Sequence, residues 1–232
     1  QPGREEGQTS YQTMPVGVIL QERYFITVTM HPHPVFEEFF TGSVRECDPQ
    51  LKTQMLLHLW LRVTNHYIAA LKDLGRRFTR IETELHRSLR NRELMELLEV
   101  EKSLVYFSTS LKADELTLRR ISTGRQIKLY EADQDLLDDV LIETDQAVEL
   151  CSIYTGLLSR TMEAFGSVIS NNLNQVMKVL TSLTLVMAIP AVVSGIFGMN
   201  VGLPTDNFWI AMGVMLALVL IACIILTKKK ML

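Results

Sequence analysis

The apolar positions along this chain change rhythm several times. Residues 1–13 carry no apolar pattern and are expected to be a poorly ordered lead-in. Residues 16–20 and 24–30 are short β-prone runs separated by Gln21, Glu22 and Arg23, which predicts two strands of a hairpin. Two strands bury too little to be stable alone, so the sheet asks for more strands than precede the helices here. The expectation is a domain shortened at its start. Residues 35–40 read as one or two helical turns. Asp48-Pro49 then gives a helix start, with Asp as N-cap and Pro at the first helical position. From there to about Arg87, Leu51, Met55, Leu59, Val63, Ala70 and Leu74 recur at helical spacing. A second helix is predicted from about Arg92 to Leu111, through Leu94, Leu97, Leu98, Leu104 and Val105. The short polar join at 88–91 makes the two antiparallel neighbours.

Gly124 is the last clear break before a much longer period. Residues 125–189 contain no Pro, and as one helix they would run about 100 Å. Leu136, Val140, Ala147, Cys151, Tyr154, Leu158, Phe165, Ile169 and Val176 form one sustained apolar stripe. A stripe of that length asks for partner helices, most simply copies of the same chain around an axis. It continues directly into residues 179–197, a 19-residue run without a charge. At 1.5 Å per residue that run reaches about 28 Å, close to a bilayer core of roughly 30 Å. A second apolar run starts at Phe208-Trp209 and ends near Leu226, with Trp209 placed for an interfacial belt. The Lys228-Lys229-Lys230 cluster closes the chain and marks the cytoplasmic side, which puts both termini inside and the short loop outside. The resulting division is a domain over 1–123, a stalk over 124–178, spans over 179–197 and 208–227, an external loop over 198–207 and a basic tail over 228–232.

One face of the first span is unusual for lipid. Thr181, Thr184, Ala188, Ala191 and Gly195 recur three or four apart, while Leu180, Leu183, Val186, Met187, Val193, Ile196 and Phe197 point elsewhere. Such a small, partly polar stripe faces either a closely packed helix or a water-filled path, and the stripe alone does not choose.

Charge sharpens the picture in two places. The net charge is −3 and 47% of residues are hydrophobic, but both are unevenly placed. Residues 51–128 are rich in Lys and Arg, densest at Arg76-Arg77 and Arg119-Arg120. These cations are interleaved with acids and lack an aromatic platform, so they read as solvated helix faces and not as a nucleic-acid surface. Between Lys128 and Arg160 lie eight acids and no base, and Glu131, Asp135, Asp139 and Glu143 fall four apart on one face. Like charges at that spacing destabilise a helix by roughly 0.2–0.5 kcal/mol per pair. A solvated acidic face and a site for a hard divalent cation both fit, since Mg²⁺ favours one or two carboxylates and retained water.

Little else suggests chemistry. His31-Pro32-His33-Pro34 offers two imidazoles without a third ligand, at a strand-to-helix turn. His58, His66 and His86 sit on helices as non-catalytic residues. Cys47, Cys151 and Cys223 have no metal or redox spacing and suit a reducing compartment. The polar start shows no signal-peptide pattern, which places the soluble part in the cytoplasm. There is no nucleophile–base pair and no phosphate-binding Gly loop, so an enzyme is not expected.

The first span ends in Gly198-Met199-Asn200, within SGIFGMNVGLP, preceded by NQVMKVLT and followed by the second span and the Lys-rich tail. This arrangement resembles the CorA family of magnesium channels and transporters, whose signature is Gly-Met-Asn at the outer end of the first of two transmembrane helices. The resemblance covers residues 129–232 well and the earlier part loosely. It implies a mainly α protein with a partial α/β cytoplasmic domain, a long stalk helix continuous with the first span, and a homopentameric channel in the plasma membrane. It implies a selectivity filter at Gly198, Met199 and Asn200, and a pore lined by Asn174, Met177, Thr181, Thr184, Ala188, Ala191 and Gly195. Family members often carry Met and Thr in mid-pore where this chain has Ala188 and Ala191, and Pro190 sits one residue closer to the signature. The family's regulatory magnesium site on the stalk falls on Asp139, with Asp138 beside it, but its upstream partner aspartate has no counterpart here.

The expected activity is therefore passage of hydrated divalent cations, chiefly Mg²⁺, with Co²⁺ or Ni²⁺ as further substrates. A ring of Asn200 carboxamides can accept hydrogen bonds from an ion's waters without stripping them, which one Asn cannot do. Asp206 would concentrate cations at the mouth, within the limits of salt screening. Intracellular Mg²⁺ on the stalk carboxylates would hold the pore closed. The partners expected are further copies of the chain, the bilayer and divalent cations, with no nucleic acid. Two alternatives stand: a zinc transporter of the same superfamily, which usually differs at the middle residue of the signature, and a membrane-anchored coiled-coil scaffold or sensor without flux.

Overall fold

The computed structural model describes residues 2–3, 10–41, 48, 50–87, 91–124, 127–199 and 208–229. They form two compact units, Gln1–Met162 and Glu163–Leu232.

The first unit contains two small antiparallel pairings. Strand β1 (Pro2–Gly3) pairs with β2 (Gln12–Thr13), and β3 (Val16–Leu20) with β4 (Phe25–Thr29) in the register Val16↔Thr29 to Leu20↔Phe25. The hairpin falls where the alternation places it. Val16, Val18 and Phe25 turn one face onto Val35 and Phe36 of α1 (Pro34–Phe40) and Leu59 of α2 (Lys52–Arg87). The other face leaves Ile19, Ile26 and Val28 exposed. Lys52 donates its ammonium hydrogens to the carbonyls of Gln21 and Glu22, tying the hairpin turn to the start of α2.

Residues 10–13 are anchored, contrary to the expectation of a loose lead-in. Tyr11 donates its backbone N–H to Ser103 Oγ (2.9 Å) and its hydroxyl to Asp73 Oδ2 (3.0 Å). Its ring packs on Phe107 at 5.5 Å. One aromatic with polar ends can hold a segment that has no periodicity of its own.

α2 begins at Lys52, later than Asp48-Pro49 suggests. Asp48 Oδ1 accepts the N–H of Gln50 (2.8 Å) and its carbonyl that of Leu51 (2.9 Å), so it caps the turn leading into the helix. Pro49 lies outside the described residues. α3 (Asn91–Ser122) runs well past Leu111 and stops at Gly124, whose φ of 69° favours glycine. It lies beside α2, with Arg80 Nη2 and Glu96 Oε2 3.7 Å apart, and the join at 88–90 is outside the described residues. Leu51, Leu98 and Val105, expected to be apolar contacts, are exposed. The helices are long enough for several faces to look amphipathic, and packing chose among them.

α4 (Gln134–Phe197) starts ten residues after the break at Gly124. A 3₁₀ turn, Glu131–Asp133, precedes it, with Asp133 Oδ2 accepting from the Tyr130 N–H (2.9 Å) and the Asp133 N–H donating to the Tyr130 carbonyl (2.9 Å). Leu129 packs on the cluster of Leu57, Leu118, Leu137 and Val140, and Thr53 Oγ1 donates to the Lys128 carbonyl (3.2 Å). These contacts tie residues 128 and 129 to α2 and α3 ahead of the helix. Up to Met162, α4 belongs to the first unit. There it runs parallel to α2, as contacts of Thr64 with Thr144 (3.4 Å) and of Thr161 with Glu82 (3.2 Å) show. Gly75 makes this approach possible, because a Cβ there would come within 2.5 Å of the Tyr154 ring. Val140, Ala147, Cys151 and Leu158 are buried, so the stripe expected to need other copies is covered over this stretch by the chain itself. Ile169 and Val176 stay exposed. Each fully buried aliphatic of this core contributes about 1.5–3 kcal/mol.

The second unit holds the rest of α4 and α5 (Phe208–Lys228). Both helices contain stretches long and apolar enough to cross a membrane. Pro190 lies inside α4 without ending it, as spanning helices tolerate.

Candidate permeation helix and acidic helix face

Within the second unit each helix withdraws one stripe from solvent. On α4 it is Ser182, Val186, Ile189, Pro190, Val193 and Phe197, with Ser182 fully buried; on α5 it is Ala211, Met215, Val219, Ala222, Cys223 and Leu226. Both follow the helical repeat. Asn174, Met177, Thr181, Thr184, Ala188, Ala191 and Gly195 are all exposed. At 3.6 residues per turn their mean direction lies about 160° from that of the buried α4 stripe, on the opposite side of the helix. The Thr184 hydroxyl donates to the Leu180 carbonyl (2.9 Å) and Ser194 to Ala191 (3.1 Å), which leaves the hydroxyl oxygens free to accept from outside the helix. A Cβ on Gly195 would meet open space, so packing within the chain does not require glycine there.

The filter residues divide. Gly198 and Met199 close the last turn, Gly198 N–H to the Ser194 carbonyl (2.9 Å) and Met199 N–H to that of Ile196 (3.3 Å). A Cβ on Gly198 would press on the Ser194 carbonyl oxygen at 3.0 Å, a physical reason for glycine at this exit. Asn200 and Asp206 lie outside the described residues, as do Cys47 and Lys230.

The acidic face is shorter than its spacing suggests. Glu131 sits in the 3₁₀ turn, off the α4 repeat, and Asp135, Asp138 and Asp139 are exposed on the helix. The base that the local sequence lacks comes from α3, where Arg119 Nη2 donates to Asp145 Oδ1 and Oδ2 (3.0 and 3.1 Å). Among the described residues no group of three or more His, Cys, Asp or Glu is placed to hold a metal. His33 caps α1, its Nδ1 accepting the Val35 N–H (3.3 Å), and its ring meets that of His66 edge-on at 5.5 Å. The His-Pro-His-Pro run is thus a helix start. Cys151 is buried, with Sγ 3.6 Å from the Leu104 carbonyl, and burial pushes its thiol pKa up. Sequence reasoning missed Tyr11 and Arg119 as organising residues, since their partners are tens of residues away.

A mainly helical unit with a small hairpin is followed by two helices long and apolar enough to cross a membrane, the first carrying a small-residue face and ending in Gly-Met. A family model described as "CorA-like Mg2+ transporter protein" matches residues 3–229, and the chain belongs to that family. It is similar to the "Cobalt/magnesium transport protein CorA" of Methanocaldococcus jannaschii, 30% identical over 173 residues that make up 72% of this chain and 54% of the relative. The chain thus spans about half the length of that curated relative. In fold it resembles the complete CorA magnesium transporter structure from the same organism, with a TM-score of 0.75 at 23% identity, over 97% of this chain and 78% of the other. The soluble domain of CorA from the same organism matches with a TM-score of 0.53 at 17% identity, over 70% of this chain and 72% of the other.

Proposed function

We propose that copies of this chain assemble, as a homopentamer, into a pore that passes hydrated Mg²⁺ across the plasma membrane, with Co²⁺ and Ni²⁺ as further substrates. The observation that carries this reading is the opposition of faces on α4. One side is withdrawn from solvent in the two-helix unit, and the small polar stripe is on the other. Copies gathered around an axis can point Asn174, Met177, Thr181, Thr184, Ala188, Ala191 and Gly195 inward while α5 stays outside against lipid.

Mg²⁺ gives up its water reluctantly, so a neutral, hydrogen-bonding path suits it better than carboxylate ligands along the way. A ring of Asn200 side chains with Gly198 and Met199 forms the outer filter in this reading. Weak outer-sphere contacts let the ion leave as well as enter. The Lys228-Lys229 end of α5 is cytoplasmic, as are both termini. Internal Mg²⁺ at Asp138 and Asp139 bridges neighbouring copies and holds the pore shut.

Mg²⁺ uptake into proteoliposomes tests the pore. Wild-type chain is expected to load vesicles and Asn200→Ala to lose at least tenfold in rate. Uptake equal in the two would remove Asn200 from the filter, and no uptake by either would favour a scaffold. Competition with Co²⁺, Ni²⁺ and Zn²⁺ gives the ion range. Asp139→Ala is expected to raise the internal Mg²⁺ needed for closure; unchanged inhibition would reject Asp139 as the sensor.

A further inference from the structure

The first unit contains a cavity of about 560 Å³ that the permeation reading does not use. It lies between β2–β3 on one side and α2 and α3 on the other. Its wall is largely apolar, Val18, Trp60 and Val63 included, and Tyr67, Ser110 and Asp114 form a polar group in it. Asp114 is the one charged side chain among the described residues that line it. Pockets of this size, apolar with a few converging polar groups, are where small ligands bind.

The polar group is specific in its chemistry. Tyr67 is hydrogen-bonded to Ser110, and burial, with the Asp114 charge second, pushes its phenol pKa up. The hydroxyl is therefore a neutral dipole beside a carboxylate. Burial raises the Asp114 pKa to about 6, which leaves it largely ionised at neutral pH in an apolar setting. A carboxylate so placed gains from a cation that brings its own apolar body, since both the charge and the wall are then matched. A hydrated Mg²⁺ matches only the charge, and a neutral apolar molecule only the wall. Trp60, which also lines the cavity, is the aromatic type that attracts cations best.

From this cavity we infer a binding site for a small organic monocation, a protonated amine on a compact apolar body, with Asp114 as counter-ion and Tyr67 and Ser110 as hydrogen-bond partners.

Calorimetric titration of the full chain in lipid nanodiscs tests it, with cyclohexylammonium and its neutral counterpart cyclohexanol as probes and empty nanodiscs subtracted. The expected result is saturable binding of the amine, at least tenfold tighter than the alcohol. Asp114→Asn should erase that preference by weakening the amine at least tenfold while leaving the alcohol unchanged. Val63→Trp, which fills the cavity, should abolish both. Equal binding of the two probes, no saturable binding, or an amine affinity indifferent to both substitutions would overturn the site. Stoichiometric displacement of the amine by Mg²⁺ in wild type but not in Asp114→Asn would also overturn it, by making the carboxylate a metal ligand.

Discussion

The two units solve the same problem by opposite means. In Gln1–Met162 the large apolar side chains of three long helices face one another, and Leu57, Leu71, Leu74, Leu97, Leu104 and Leu111 are essentially inaccessible. In Glu163–Leu232 the residues are more apolar and less buried: Leu183 is 54% exposed, Met187 66% and Trp209 77%. A water-soluble unit with that surface would aggregate. The difference teaches that the first unit covers a large apolar core with its own chain, whereas the second leaves most of its apolar surface uncovered by the described residues. Glycine shows the same contrast. Gly75 is small because Tyr154 of the same chain occupies the space, and a Cβ on Gly195 would meet none of the described residues.

Substitutions can break or sharpen this contrast. The largest expected effect is functional and confined to the second unit: Gly195→Leu should cut Mg²⁺ uptake at least tenfold while the thermal unfolding of the first unit is unchanged. A parallel loss of folded protein would instead make Gly195 a packing residue. Next is the core of the first unit, where Leu57→Ala should cost about 2–5 kcal/mol in denaturant unfolding. Leu183→Ala on the exposed face of α4 should cost under about 1 kcal/mol in lipid. Similar costs at the two positions would erase the distinction between the units.

Gly75→Ala should cost about 1–3 kcal/mol through overpacking against Tyr154, and Tyr154→Leu in the same background should recover part of it. A further effect concerns pH. The Asp114 carboxyl holds its proton more tightly when folded, at about pH 6 against 3.8 for the free side chain. The folded state therefore binds more protons, and its stability falls as pH rises from about 4 to about 6. The full change is on the order of 2–3 kcal/mol. Asp114→Asn should flatten that slope and raise stability at pH 7; unfolding curves with the same slope in both proteins would assign it to other groups.

Much of this was legible in the chain itself. The hairpin at 16–29, α2 ending at Arg87, the apolar run ending at Phe197 and the small stripe along it follow from side-chain periodicity. Periodicity is a local property, set by 2.0 or 3.6 residues per repeat and independent of what covers the face. Signals carried by chain neighbours were equally readable, as at Gly124. What the sequence could not determine depends on partners far along the chain. The start of α4 at Gln134 was decided by Leu129 packing on Leu57 and by Thr53 reaching Lys128. Tyr11 gained its role only once Asp73, Ser103 and Phe107 came together, and Asp145 its counter-charge only from Arg119. Which stripe of α4 is covered along 134–162, and which of several amphipathic faces α3 turns inward, were likewise settled by packing. Contact energies between distant residues leave no repeat in the sequence, so only the folded chain displays them.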